Sequence, residues 1–418
     1  MPSDGAGGRL TSPAMLAIVG EAFLSRLAFG VMAFALPLYA RSLGMELAEI
    51  AVLVSANMAV AILLKPYAGH LADRIGHKRG AVAAIAGRSL LTLLFAFAGT
   101  AWQLFGLQTA RGVAKSLRDP SINALIAEHG GKRRVASAFA WYKTATSAAG
   151  ALGKALAGVL LTLTASNFPQ VFLAAFLLSI LPLIAVVRWL PAAPPEAARD
   201  ATARPPAGQG GTAGAAGMPP ARLWPVMGLG FMLSGTANML RSLFPILAVE
   251  YGGLSEAETG VLYLLATAVT LLAGPAFGWL SDNVSRKLVL MARGVANIAA
   301  SAVYLLFPSF AGFAVGKAVD EAGKAAFNPA WGALMAEISG RDRASRGRTM
   351  GWLDAADDAG AIAGPLLAGL LWSVWGVGVL LAVRIGLAVA TEVYAVLLFQ
   401  PARRVLAAGN SEAAERSP

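Results

Sequence analysis

The chain has 418 residues, 57% hydrophobic and only 14% charged, with a mean hydropathy of +0.63; a soluble domain carries about a quarter charged residues, so an ordinary globular fold is excluded and a polytopic membrane protein is indicated. The net charge of +11 is not a nucleic-acid footprint, because Lys and Arg sit in short gaps between apolar runs, where such residues orient a membrane protein. With no Cys in the chain, disulfides, thiol nucleophiles and thiolate metal sites are excluded as well.

The polar, Gly-rich N-terminal tail runs to residue 13. A hydrocarbon core of ~30 Å takes about 20 apolar residues per helix, and by that measure the sequence predicts twelve spans. Six fall at 14–40, 47–69, 80–99, 102–128, 135–162 and 168–190, a first bundle over 14–190. Residues 191–222, rich in Pro, Ala and Gly, read as a flexible linker. Six more spans fall at 223–249, 256–280, 288–308, 309–338, 349–373 and 376–400, a second bundle over 223–400, and a tail follows at 401–418. The first apolar run is too long for a signal peptide and lacks a clear cleavage site, so it is read as a retained helix. The expected fold class is an all-α membrane protein: twelve transmembrane helices in two pseudo-symmetric six-helix bundles.

Orientation follows from the basic residues. One set of gaps holds Arg74, Lys78 and Arg79, then Lys132, Arg133 and Arg134, then Arg286 and Lys287, then Arg341, Arg343, Arg346 and Arg348. The alternate gaps hold Arg41 and the acids Glu46, Glu49, Glu250, Glu256 and Glu258. The basic set is read as cytoplasmic. An even number of spans then puts both tails and the linker in the cytoplasm, in a bacterial inner (plasma) membrane.

The densest polarity lies between the second and third spans, in Gly69-His-Leu-Ala-Asp73-Arg74-Ile-Gly76-His-Lys78-Arg79-Gly80. A weaker copy, Gly278-Trp-Leu-Ser-Asp282-Asn-Val-Ser-Arg286-Lys287, stands 209 residues later. The same offset relates Arg111 to Asp320, Lys115 to Lys324 and Pro120 to Pro329. Six spans separate the copies, so both halves share one orientation, as in a parallel repeat about an axis along the membrane normal.

The hinge pattern Gly69-x-Leu-Ala-Asp73-Arg74-x-Gly76-x-Lys78-Arg79, the twelve spans and the weaker second copy together resemble the major facilitator superfamily, over about residues 14–400. The resemblance implies two bundles rocking around a midplane site, with spans 1, 4, 7 and 10 lining a central cavity, span 11 near span 2 and span 5 near span 8. It also implies that Gly69, Asp73, Arg74, Gly76, Lys78 and Arg79 form a conformational latch. Asp73 would lie at the N-terminus of span 11, where the helix dipole favours an anion, and Arg74 and Arg79 would meet acids at helix ends. At the second copy, Asn283 and Ser285 replace Arg74 and Gly76, so Asp282 and Arg286 make a weaker latch. Arg111 resembles the cavity arginine of the family's proton-coupled antiporters. Gly360-x-x-x-Gly364-Pro365 looks like those antiporters' span 5 motif, but it stands in the opposite half, and ordinary small-residue helix packing is the favoured reading.

Charges at membrane depth usually face a cavity and have partners. Arg111, Lys115, Arg118 and Asp119 share one helical face of span 4. Lys317, Asp320, Glu321 and Lys324 cluster in span 10, and Asp354, Asp357 and Asp358 in span 11, with Lys65 in span 2 and Lys143 and Lys154 in span 5. At matched repeat positions the signs oppose, Arg111 against Asp320 and Lys143 against Asp354. The candidate substrate and proton-coupling residues are Glu21, Arg111, Lys115, Asp119, Asp320, Glu321 and Lys324. Lys65, Lys143, Asp354, Asp357 and Asp358 form a secondary charge cluster. Structural ion pairs are the competing explanation for both groups. A cross-helix partner is expected for Glu21, because Arg26 lies on another face.

His70, His77 and His129 fall at span ends, so no metal site is expected. No P-loop, nucleophile–base pair or cofactor fingerprint appears, which argues against an enzyme and against ATP drive. The expected activity is secondary transport of a small polar or charged solute by a monomer in the bilayer, by proton-coupled antiport (efflux). A proton symporter or uniporter importing an organic anion, and a scaffold or sensor that does not transport, are the alternatives.

Overall fold

A computed structural model describes residues 13–129, 135–189, 223–283, 286–340 and 346–399, and the described residues are helical apart from short turns. The first bundle contains α1 (Pro13–Ser42), α2 (Leu47–Ile75), α3 (His77–Phe95), α4 (Ala101–His129), α5 (Val135–Leu163) and α6 (Phe168–Trp189). The second contains α7 (Trp224–Asn238), α8 (Glu256–Asn283), α9 (Arg286–Leu306) and α10 (Phe310–Gly340). It ends with the helical stretch Arg346–Phe399, which Gly376 (φ 82, ψ 178) divides into α11 (346–375) and α12 (377–399). The expected linker at 191–222 lies outside the described residues.

Six segments are long and apolar enough to cross a membrane, the last of them running through both α11 and α12. Of the others, α4 and α10 carry several charges in mid-helix. Those charges are accommodated only by pointing away from lipid.

One expected span is not continuous. The predicted helix at 223–249 stops at Asn238, turns, and resumes as a short helical turn, Phe244–Ile246, that widens into a π-turn over Leu247–Tyr251. The Asn238 side chain explains the stop: its amide donates to the Ser234 carbonyl (2.8 Å), and its oxygen accepts from Arg241 (3.2 Å). These bonds offer the backbone an alternative to the helical ladder. Pro245, with no N–H to donate, fits the start of the resumed turn. At the hinge, Gly76 adopts φ 89, ψ 140, so α2 ends and α3 begins within one residue. That left-handed conformation strains any residue with a Cβ.

Small residues set the packing inside each bundle. α1 lies on α5 and α7 on α11. A methyl group at Gly153 would strike the Leu27 carbonyl, and one at Gly364 would strike that of Gly235. The Gly360/Gly364 stretch therefore does a packing job, bringing α11 onto α7.

Between bundles the contacts are uneven. α5 meets α8 at Gly158 and Gly260, and α2 meets α11 at Ala51 and Gly369, all near the end opposite the hinge. At that end Arg41 pairs with Glu250 (2.7 Å), and Ser166 donates to Glu256 (2.8 Å). The main apolar core also runs through both bundles, joining Phe34, Leu53 and Phe172 to Phe244, Leu262 and Trp372. Toward the hinge the cores are separate. Ile18, Ile85 and Leu125 cluster within the first bundle, and Leu229, Trp331, Met227 and Leu353 within the second. Among the described residues, the apolar core shared by the two bundles therefore lies at the end opposite the hinge.

Candidate functional site

The seam between the bundles is where the charged faces of the helices gather. In the first bundle, α4 stacks Arg111, Lys115 and Arg118 along one face. Arg118 Nη2 donates to Glu21 Oε1 on α1 at 2.7 Å, with its Nε at 3.3 Å. Both residues are buried, and Glu21 is 0% exposed. Arg118 is therefore the cross-helix partner that Glu21 requires. Its Nη1 also reaches Asp119, at 3.5 Å, whose side chain is 43% exposed. The second oxygen of Glu21 is buried with no hydrogen-bond partner among the described residues.

Arg111 sits differently. It is buried, and its guanidinium lies 5.6 Å from the Phe95 ring centre and 5.9 Å from that of Phe29. Arg26 and Arg88 approach the same Phe29 ring at 5.0 and 5.9 Å. Cations attract aromatic faces, yet among the described residues none of these three arginines has a carboxylate within ion-pair distance. Phe29 and Arg111 also line a cavity of about 100 Å³ between α1, α2, α4 and the turn after α7, with Met32, Asn57, Gln108 and Ser242 on its wall.

In the second bundle the charges are closed on one another. Asp320 on α10 accepts from Arg293 of α9 (3.2 Å) and Arg384 of α12 (3.1 Å), and pairs with Lys324 at 2.9 Å. Glu321 pairs with Lys317 (2.9 Å) and Lys324 (2.7 Å). Arg384 also donates to Asn297 (2.9 Å) and Ser301 (2.7 Å). Arg111 and Asp320, matched in the repeat, are consequently not partners: Asp320 is taken up inside its own bundle. At the seam, Lys154 of α5 lies 4.2 Å from the Tyr263 ring centre, and Lys317 lies 4.9 Å from the same ring.

The acids of α11, Asp354, Asp357 and Asp358, are partly exposed. Lys65 of α2 and Lys115 of α4 are the cations in electrostatic range of Asp358, so this cluster reaches across the seam. At the hinge, Arg74 and Arg79 are exposed and make no ion pair among the described residues, and Lys78 is partly buried. The side chains of Asp73, Lys143, Asp282 and Arg286 lie outside the described set.

Four further cations belong to these clusters or lie beside them and are not singled out by the sequence: Arg88, Arg241, Arg293 and Arg384. Arg88 and Arg384 are mid-span charges, and the rule that singled out Arg111 finds both. Arg293 sits so near the start of its span that it reads as an interfacial anchor. Arg241 is hidden because the break in α7 was not expected.

A family model described as Major Facilitator Superfamily matches residues 21–252 and 226–418. A Na(+), Li(+), K(+)/H(+) antiporter from Planococcus maritimus is 30% identical over 148 residues, 34% of each chain. A gallate transporter from Pseudomonas putida is 33% identical over 99 residues, 24% of this chain and 22% of that one. The match thus spans about a third or less of the length of these relatives. The nucleoside transporter NupG superposes with a TM-score of 0.70 at 14% identity, covering 91% of this chain and 97% of that one. The human organic anion transporter MFSD10 (TETRAN) gives 0.63 at 16% identity, covering 92% and 99%. A bacterial homologue of the human lysosomal transporter Spinster, inward-facing and occupied, gives 0.66 at 16%, covering 93% and 96%. At these identities the likeness to solved structures is one of fold.

Proposed function

Because this chain belongs to the Major Facilitator Superfamily, and is a membrane transporter rather than an enzyme, we propose that it carries a small polar or charged solute by alternating access, coupled to protons as an antiporter. The observation that carries this reading is the uneven seam: among the described residues, one apolar core joins the bundles opposite the hinge, while toward the hinge each bundle has clusters of its own. With the basic gaps in the cytoplasm, this conformation is open to the cytoplasm and sealed outside. Arg74 and Arg79, exposed and without an ion pair among the described residues, fit a latch that is disengaged in this state. It would engage, through Asp73 and the start of α11, when the cytoplasmic side closes. Asp282 and Arg286 are the weaker counterpart at the second copy.

Coupling is assigned to the carboxylates that keep access to the seam: Asp119 and Asp358, in range of Lys115 and Lys65, and Asp357, in range of Arg241. Protonating one of them releases its cation and alters the balance of charge between the bundles. Glu21, held by Arg118, joins this set through its unpartnered oxygen. Asp320 and Glu321, each held by two or more cations, are assigned to holding α10 in place. The antiport reading also draws on the similarity to a protein named as a cation/proton antiporter. A second reading, import of an organic anion by symport or uniport, is favoured by the arginines around Phe29. The protein is taken as a monomer of the bacterial inner membrane, working without a cofactor.

The test is reconstitution in liposomes with a pH-sensitive dye inside and a panel of solutes loaded in the lumen. Antiport acidifies the lumen as solute leaves, and symport makes it more alkaline. Solute flux with no proton movement overturns the coupling, and no flux of any solute overturns the transport assignment for this chain.

A further inference from the structure

We propose that Lys154 and Tyr263 form a cation–π clasp across the seam that sets how readily the outer end opens: the ammonium favours opening, and the face of the ring offsets it; this rests on the alternating-access reading above. Lys154 belongs to α5 of the first bundle and Tyr263 to α8 of the second, and Lys154 Nζ lies 4.2 Å from the ring centre. The contact stands one turn toward the hinge from Gly158 and Gly260, where the two helices meet backbone to backbone: a Cβ at Gly158 would strike the Glu256 carbonyl. The bundles cannot part at this end without drawing Lys154 off the ring. The ring itself is 4% exposed. Phe244 meets it at 5.5 Å and 77°, and Phe34 of α1 reaches it from the first bundle at 6.0 Å and 73°, both in the edge-to-face geometry that aromatic pairs prefer.

Two lysines approach this ring, and only one of them is neutralised. Lys317 of α10 lies 4.9 Å from the ring centre and has Glu321 at 2.9 Å. Lys154, half-buried, has no carboxylate within ion-pair distance among the described residues. The charged groups in electrostatic range of it are Lys317, Arg241, Lys324 and Glu321, and Glu321 is already held by Lys317 and Lys324. An ammonium at membrane depth with no anion of its own is costly. Attraction to a ring face, which strengthens as water leaves, recovers part of that cost. Parting the bundles at this end returns the ammonium to water. Ring and water therefore compete for one cation, and the outer end is held shut by a margin that this pair sets.

The test uses the full chain in right-side-out membrane vesicles. Ser55 of α2 is 6% exposed, and its hydroxyl donates to the Ile362 carbonyl of α11 across the seam (3.4 Å). Ser55→Cys is nearly isosteric, and the chain has no native Cys. Its rate of labelling by a membrane-impermeant maleimide from outside therefore reports the fraction of molecules open at that end, however small. Tyr263→Phe is the reference, and 3,4,5-trifluorophenylalanine at the same position keeps the ring's shape while withdrawing charge from its face. Fluorination should speed labelling about fivefold, which at about 1.4 kcal/mol per tenfold is roughly 1 kcal/mol. Lys154→Met keeps the side chain's bulk, removes the charge and should slow labelling about fivefold or more. In that background fluorination should have no effect, which separates Lys154 from Lys317 on the same ring, whereas Lys154→Arg should keep the response. No response to fluorination, an equal response with and without Lys154→Met, faster labelling in Lys154→Met, or no labelling of any variant would overturn the clasp. Labelling is read without solute, so the clasp fails on these rates alone, and the transport reading fails separately, on absence of flux in liposomes.

Discussion

Asp320→Asn tests whether the charge cluster of the second bundle is structural. The substitution keeps shape and removes one negative charge that lies 3.2 Å from Arg293, 3.1 Å from Arg384 and 2.9 Å from Lys324. At an effective dielectric near 20, one pair at about 3 Å is worth roughly 5 kcal/mol before desolvation. Desolvation offsets much of that, and removing one partner of a buried pair costs about 3–5 kcal/mol in measured cases. Both arginines are about 1% exposed, so the upper part of that range applies. For a bundle of this size about 1 kcal/mol corresponds to roughly 2–4 °C, and the expected loss is on the order of 10 °C. Size-exclusion thermostability in detergent measures it, with Asp119→Asn as the control. Asp119 makes only a 3.5 Å contact and is 43% exposed, so its loss should shift melting by about 1–2 °C or less, as exposed pairs do. If Asp320→Asn melts like the wild type and only transport is lost, Asp320 is a working proton carrier and the structural assignment is wrong.

Exchanging the signs of Arg111 and Asp320 should not restore function, because the two are not in contact; full recovery of uptake in liposomes would contradict the geometry. Glu21→Gln breaks a buried pair with Arg118 and should cost about 3–5 kcal/mol of stability, and the protein that still folds should lose solute-driven proton movement; unchanged dye traces would exclude Glu21 from coupling. Gly153→Leu and Gly364→Leu should each cost several kcal/mol, since the added side chain meets backbone of the neighbouring helix; thermostability curves overlapping the wild type would refute this. Asp73→Asn should slow transport several-fold with melting unchanged, and wild-type turnover would remove the latch.

The fold was legible because its signals are long-range and redundant. Apolar run lengths give twelve spans, and the 209-residue offset between Asp73 and Asp282 gives the two bundles. The break in α7 was not legible, because one Asn and one Pro inside an apolar run do not identify the side-chain bonds that stop a helix there. In the site, the face of α4 carrying Arg111 and Arg118 could be read from helical spacing. The partners could not, since Glu21 and Arg118 are 97 residues apart. Repeat matching was misleading for Arg111 and Asp320 for a geometric reason. Residues related by a two-fold axis touch only close to that axis. Arg41 and Glu250, also 209 apart, do touch, whereas Asp320 is taken up by cations of its own bundle.

The central claim is that the two bundles rock about a shared seam, and the absence of native Cys makes it directly measurable. Spin labels at Arg41→Cys with Glu250→Cys report the sealed end, and labels at Leu71→Cys with Trp352→Cys report the hinge end. Pulsed electron paramagnetic resonance in nanodiscs, at two pH values and with or without a transported solute, gives both distance distributions. The account predicts that the populations shift in opposite senses, one end lengthening as the other shortens. Two distances that stay fixed, or that change together, contradict it.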